Sequence, residues 1–449
     1  MIPLSIPPNQ AWLAIFLPAL LYYTLLSPTN TPILSYLNLL PSYAPLNTTI
    51  HLQHGTQDEI NKILISKSSF EKVIDNDSDA MFYDMTWVED AELGRGYLLL
   101  SDSASSGKVW RYETGGGLVP IGKSLYLDHS GCRSNFWTSC KKDSRSGSKG
   151  LIVQAIRDED RFDIGSLIIV EGGEKRIVRL EKDGARTPLV LNVPSLCNKN
   201  ESVRLSSPGK VVYTPFGDLL FTETVQCREQ VGNENETRVI TKSGLFRIKD
   251  VVNIPSITFH QSRAAHKWTV EDMITEVAVE LAYIGMETIS SVVVEKDAMT
   301  LLISGNSFEE GQGCRHVIYK VVDDMDDADG STKNISDMQL FFDMSKFFPK
   351  QNICRGEDTH IAMTIDNQGN VFASYPGGIA IIDNYGELLV TVKIGGIDGK
   401  GSDLDMLANA LTIGNDGYLY MSTDTTLQRY KMKSKMLEYP TNLIVPKKK

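Results

Sequence analysis

The chain has 449 residues, with 45 Lys and Arg against 56 Asp and Glu, for a formal net charge of −11. An acidic surface repels nucleic-acid phosphates, and no basic stripe interleaved with aromatics occurs, so nucleic-acid binding is excluded as an expectation. At 42% hydrophobic and 22% charged, the composition is that of a globular body with a sizeable core, either one large domain or two ordinary ones.

No Asp, Glu, Lys or Arg precedes Asp58. Within that stretch Ala11 to Leu26 is uncharged and mostly apolar. It is shorter than the roughly 20 residues that span a bilayer. It suits the apolar part of a signal peptide or a short signal anchor; a buried apolar helix is the remaining reading. The expected division is residues 1–30 as a hydrophobic helix of signal type, 31–69 as a lead-in, 70–435 as the body and 436–449 as a tail. This places the chain in the secretory pathway, lumenal, extracellular or membrane-anchored through its N-terminal segment.

Two further features agree with export. Sequons stand at Asn47, Asn76, Asn200, Asn235 and Asn334, each a candidate glycosylation site. The six cysteines form an even set with no CxxC spacing, which argues against a zinc ribbon or a thioredoxin-like site. Pairing neighbours closes the shortest loops and gives Cys132–Cys140, Cys197–Cys227 and Cys314–Cys354. Six reduced, buried thiols are the alternative.

The body carries a repeat. Copies begin at Gly96, Gly165, Gly217, Ala298, Gly369 and Gly417, and each is a short apolar run ending in small or acidic residues, as in GYLLLSD and GDLLFTE. Such runs read as fully buried strands and are expected to be the inner strand of each unit. An amphipathic strand follows, as in VWRY after Lys108 and LQRYK after Thr426, closed by turns such as Asp183-Gly184 and Tyr385-Gly386. Units of about 40–50 residues with four strands are propeller blades. The expected fold is therefore all-β, a six-bladed β-propeller with an N-terminal hydrophobic helix. Insertions fall at 124–148, 225–240 and 305–315, each with a cysteine.

Several of these stretches resemble one family in order along the chain. Gly147 to Gln154 and Gly165 to Leu189 resemble the blade that reads GxNGL…GRLxVxEHGxRRVxRxDxDG. Arg204 to Glu223 (RLSSPGKVVYTPFGDLLFTE) resembles RLNSPNDVVxxxDGxxYFTD. Gly369 to Ile394 and Ala408 to Thr423 resemble the last two blades. The chain thus resembles the senescence marker protein/gluconolactonase (regucalcin-like) family; strictosidine-synthase-like propellers share the same blade grammar and offer amine or ester chemistry.

The resemblance implies hydrolysis of a lactone or related ester around one divalent cation, such as Ca²⁺, held by oxygen ligands in the central channel. The positions that match the family's ligands are substituted: Tyr83 stands for a Glu, Gly209 for an Asn, Ser290 for an Asn and Ile361 for an Asp, with Lys210 for the Asp beside Gly209. Glycine and isoleucine offer no side-chain oxygen, and a lysine repels a cation. Asp84, Glu357 and Asp358 are candidate substitute carboxylates, and His360 is a candidate general base. Each also has a plain structural reading. Asn409 matches a channel position of the last blade. The competing function is a non-catalytic propeller that binds a small ligand or partner without metal.

Overall fold

The computed structural model describes residues 63–64, 71–74, 81–90, 95–103, 107–113, 122–127, 147–153, 167–181, 186–198, 201–230, 237–249, 251, 254, 279–286, 288–297, 299–309, 313–322, 333–334, 338–347, 361–393, 408–423 and 426–437. The N-terminal apolar segment, the sequons at Asn47, Asn76, Asn200 and Asn235, and Cys132, Cys140 and Cys354 lie outside these residues. Among the described residues no helix is long and apolar enough to cross a membrane.

Strand β1 (Glu71–Ile74) precedes five units, four of four strands and one with a short fifth strand added. Blade 1 is β2 (Phe82–Asp90), β3 (Arg95–Asp102), β4 (Val109–Glu113) and β5 (Gly122–Leu127). Blade 2 is β6 (Ser148–Val153), β7 (Leu167–Glu171), β8 (Arg176–Leu180) and β9 (Arg186–Val190). A small hairpin, β10 (Asn192–Pro194) with β11 (Ser202–Arg204), leads to blade 3, made of β12 (Pro208–Tyr213), β13 (Leu219–Gln230), β14 (Thr237–Ile248) and β15 (Val279–Met286). Blade 4 is β16 (Thr288–Val294), β17 (Thr300–Glu309), β18 (Gly313–Val322) and, beyond the short β19 (Lys333–Asn334), β20 (Gln339–Asp343). β19, which holds the sequon residue Asn334, runs parallel to β15 as a fifth strand of blade 3. Blade 5 is β21 (Met363–Ile365), β22 (Val371–Tyr375), β23 (Gly378–Ile382) and β24 (Leu388–Lys393). β25 (Ala410–Ile413), β26 (Tyr418–Ser422) and β27 (Leu427–Lys431) make three strands of blade 6, and β1 supplies the fourth by pairing antiparallel with β27.

The first strands touch in a ring, β2 to β6, β12, β16, β21, β25 and back to β2. This corrects one expectation. The fully apolar runs that begin at Gly96, Gly165 and their equivalents are the second strands, not the innermost ones. The physical reason is their packing: a second strand has a neighbouring blade against each face, so both faces must be apolar, as in β7 and β22, which are buried throughout. The innermost strands border the channel and carry polar or half-buried residues, as in β12. Apolar clusters fill the space between blades, for example Leu302, Ile318, Phe342, Val371 and Ala373 between blades 4 and 5. Each fully buried aliphatic side chain there contributes about 1.5–3 kcal/mol.

Turn chemistry follows the sequence. Gly386 closes the β23–β24 hairpin with φ +87°, a conformation that needs no Cβ, and its N–H donates to the Asp383 carbonyl. Gly172 and Gly173 lie in the β7–β8 turn, which ends on Lys175 at φ 53°.

The register shows where the insertions go. Pro208 opens β12 opposite Glu223, and the β13–β14 hairpin continues past that point through Gln230 and Thr237. In blade 4 Thr288 lies opposite Asn306, and β17 and β18 continue to Glu309 and Gly313. Both long hairpins therefore rise on the face where the first strands begin, here called the mouth. Cys227 in the first of them is disulfide-bonded to Cys197 in the β10–β11 hairpin, the middle pair of the expected set.

Candidate functional site

The mouth of the channel is built from β-bulges. In blade 1 Phe82 pairs with Asp102 and Asp84 with Ser101, so Tyr83 is an extra residue. In blade 2 Lys149 is the extra residue, between Ser148 opposite Glu171 and Gly150 opposite Val170. In blade 3 Gly209 and Lys210 together face Thr222 alone, and in blade 4 Ser290 is extra. A bulge disrupts the ladder and re-aims its side chain, and bulges of this kind gather at functional sites. Four blades thus break register at the same depth, and Tyr83, Gly209 and Ser290 from the resemblance are all among the bulged residues.

The small residues that close the apolar runs of the second strands serve these bulges. The Thr222 hydroxyl accepts from the Lys210 N–H at 3.0 Å. The Ser101 hydroxyl donates to the Ser148 carbonyl of the next blade, and the Ser304 hydroxyl to the Ile361 carbonyl of the next. Gly209 is needed for the first of these contacts, because a Cβ there would lie 2.6 Å from the Thr222 Oγ1.

Lys210 crosses the lumen. From blade 3 its ammonium donates to the Asp84 Oδ1 at 2.6 Å, to the Tyr83 carbonyl at 3.1 Å and to the Asn409 carbonyl at 3.4 Å. It also lies 5.2 Å from the centre of the Tyr83 ring. Asn409 stands at the start of blade 6, opposite blade 3 in the ring, and its side-chain amide donates to the Phe82 carbonyl of blade 1. The other Asp84 oxygen accepts from the Leu151 N–H of blade 2. Asp84 is therefore buried and engaged through both oxygens.

Glu223 lies just behind this cluster and is completely buried. Its Oε1 accepts from the Ser206 and Ser207 N–H groups, on the turn that leads into β12. Its Oε2 has no hydrogen-bond partner among the described residues. Burial pushes the carboxyl up to about 7, against the opposing pull of the Ser207 and Ser206 amides and of Lys149 and Lys175. The amine of Lys149 bonds the Ser207 hydroxyl instead, at 3.3 Å.

A ring of six blades has a known counterpart. The structure matches a gluconolactonase from Xanthomonas campestris, described as important in glucose secondary metabolic pathways, with a TM-score of 0.51 and 14% identity over 88% of this chain and 99% of that one. The fold is that of the gluconolactonases. A Trichoderma reesei carbohydrate-active enzyme of family AA12 matches with TM-score 0.44 and 11% identity, covering 86% of this chain and 99% of that one. Virginiamycin B lyase from Staphylococcus aureus matches with TM-score 0.38 and 13% identity, covering 81% and 89%. No protein-family model matches the sequence, and no curated protein is similar to it in sequence.

On this gluconolactonase frame the positions implied for cation ligands do not fit a divalent ion. Tyr83 turns a carbonyl to the lysine, Gly209 has no side chain, and Ser290 is buried. Ile361 is packed in the apolar cluster between blades 4 and 5. A divalent ion within about 3 Å of the Lys210 ammonium would be repelled by on the order of 10 kcal/mol at an effective dielectric constant of about 20. Among the described residues no group of three His, Cys, Asp or Glu is placed to hold a metal. Of the substitutes expected from sequence, Asp84 reaches the channel but is tied to Lys210; Glu357, Asp358 and His360 lie outside the described residues. Sequence reading missed Glu223 and Lys149. The acid that ends GDLLFTE was the available signal, because an acid closing an apolar run must find partners or keep its proton.

Proposed function

We propose that this propeller binds a small, oxygen-rich ligand of the lactone or ester class at the channel mouth, and that it does so without a bound divalent cation. The supporting observation is the set of four bulges at one depth, which turn backbone groups and side chains toward the lumen between two raised hairpins. Carbonyls, hydroxyls and an ammonium gathered at the mouth suit a ligand rich in oxygen, and they would orient it without activating water. The proposed place of action is the secretory pathway, supported by the Cys197–Cys227 disulfide, since such bonds persist in oxidising compartments.

A second reading is hydrolysis of the same ligand, in line with the gluconolactonase activity of the Xanthomonas protein. It is favoured by one observation: Glu223 holds a carboxyl near neutrality with one oxygen unpartnered, a state suited to general acid or base work. The deciding experiment is calorimetric binding and turnover of a lactone panel, with and without a chelator. Binding without turnover is expected for the first reading. Chelator-insensitive turnover that Glu223→Gln removes would establish the second. Turnover abolished by the chelator would refute both, and so would the absence of binding.

A further inference from the structure

We propose that Lys210 is a built-in cation: its ammonium does the structural work of a bound metal ion, tying blade 3 to blades 1 and 6 across the lumen. Blades 3 and 6 are opposite in the ring, yet the Lys210 Nζ lies within hydrogen-bond distance of groups from blades 1 and 6. An ammonium has three N–H donors, and three acceptors from two blades converge on it: one carboxylate oxygen and two carbonyls. The Tyr83 ring adds a face of negative potential at 5.2 Å. A carboxylate and two carbonyls are the oxygen set that a hard cation takes, so the mouth has kept a cation-binding character while the cation has become part of the chain.

Local structure supports the assignment. Lys210 sits in the β12 bulge, which aims its stem inward, and the Thr222 hydroxyl fixes its backbone N–H. Gly209 beside it leaves the room that this hydroxyl needs. Asp84 is held from behind by the Leu151 N–H, so the acceptor side is prearranged before the lysine arrives. The consequence is a propeller whose mouth geometry does not depend on divalent ions in the medium. The role of Lys210 in stability does not require that a lactone binds.

The test is thermal unfolding of the full chain with four arms. In the wild type, added Ca²⁺ and added chelator are both expected to leave the melting temperature unchanged. Lys210→Met, which keeps the stem and removes the charge, is expected to lower it by about 5 °C or more, and Lys210→Arg by clearly less. Lys210→Ala is expected to regain stability with millimolar propylammonium and not with propanol, because only the first replaces the missing charge. The proposal is overturned if Ca²⁺ stabilises the wild type, if Met and Arg are equally harmful, or if propylammonium gives no rescue. Should the Ala variant fail to fold, the wild-type, Met and Arg arms still decide.

Discussion

Glu171 and Glu223 stand at the same repeat position in the second strands of adjacent blades, and both are completely buried. Their surroundings differ. Glu171 is clamped by the guanidinium groups of Arg176 and Arg186. Among the described residues Glu223 is bonded by the Ser206 and Ser207 amides, and its second oxygen has no hydrogen-bond partner. Asp102 holds the same place in blade 1 and accepts from the Met81 N–H at 3.0 Å and the Trp110 indole at 3.5 Å. One repeat position thus carries an ion-paired acid, a proton-holding acid and a hydrogen-bonding acid. The contrast teaches that these three blades share an acceptor at one place, while its charge is set by what each blade puts beside it.

The largest test of that contrast is Glu171→Gln. It leaves two arginines without their carboxylate, and the expected loss is about 3–5 kcal/mol, read by chemical denaturation. Glu223 is expected to act through pH. Its carboxyl keeps a proton up to about 7 in the folded chain, against 4.5 in the absence of the fold. The folded state binds the extra proton between those values, so stability should fall as pH rises through that window and level off above it. The upper bound on the fall is about 3 kcal/mol, and Glu223→Gln should flatten the profile. The smallest effect is expected for Asp102→Ala, which deprives the Met81 N–H of its acceptor at a cost of about 1–2 kcal/mol. If Glu171→Gln were milder than Asp102→Ala, the ranking by charge would be wrong.

The six-fold repeat was legible because each second strand is squeezed between two blades and must be apolar on both faces. The same uniformity hid which strand lies innermost: a first strand such as β12 mixes Gly209 and Lys210 with Val211 and shows no clean pattern. The bulges were not legible either, since one extra residue at Tyr83 or Ser290 changes register without changing composition. The resemblance pointed to Tyr83, Gly209 and Ser290, which stand in the bulges at the mouth, and to Ile361, which packs between blades 4 and 5; the ion pair at the mouth is made by Lys210, beside Gly209. A lysine reaching across the lumen to Asp84 and Asn409 is a contact between distant segments, which no local periodicity encodes.

The pairing of β1 with β27 has a consequence for how the molecule is made. Glu71 and Arg429, which join there, are separated by 358 positions. A nascent chain can stack five blades as it emerges, but the circle cannot shut until its last segment has left the ribosome and found the first. Until then both rims of the unfinished ring offer unpaired backbone to other chains, so synthesis passes through a stage in which crowding by its own kind is the main hazard.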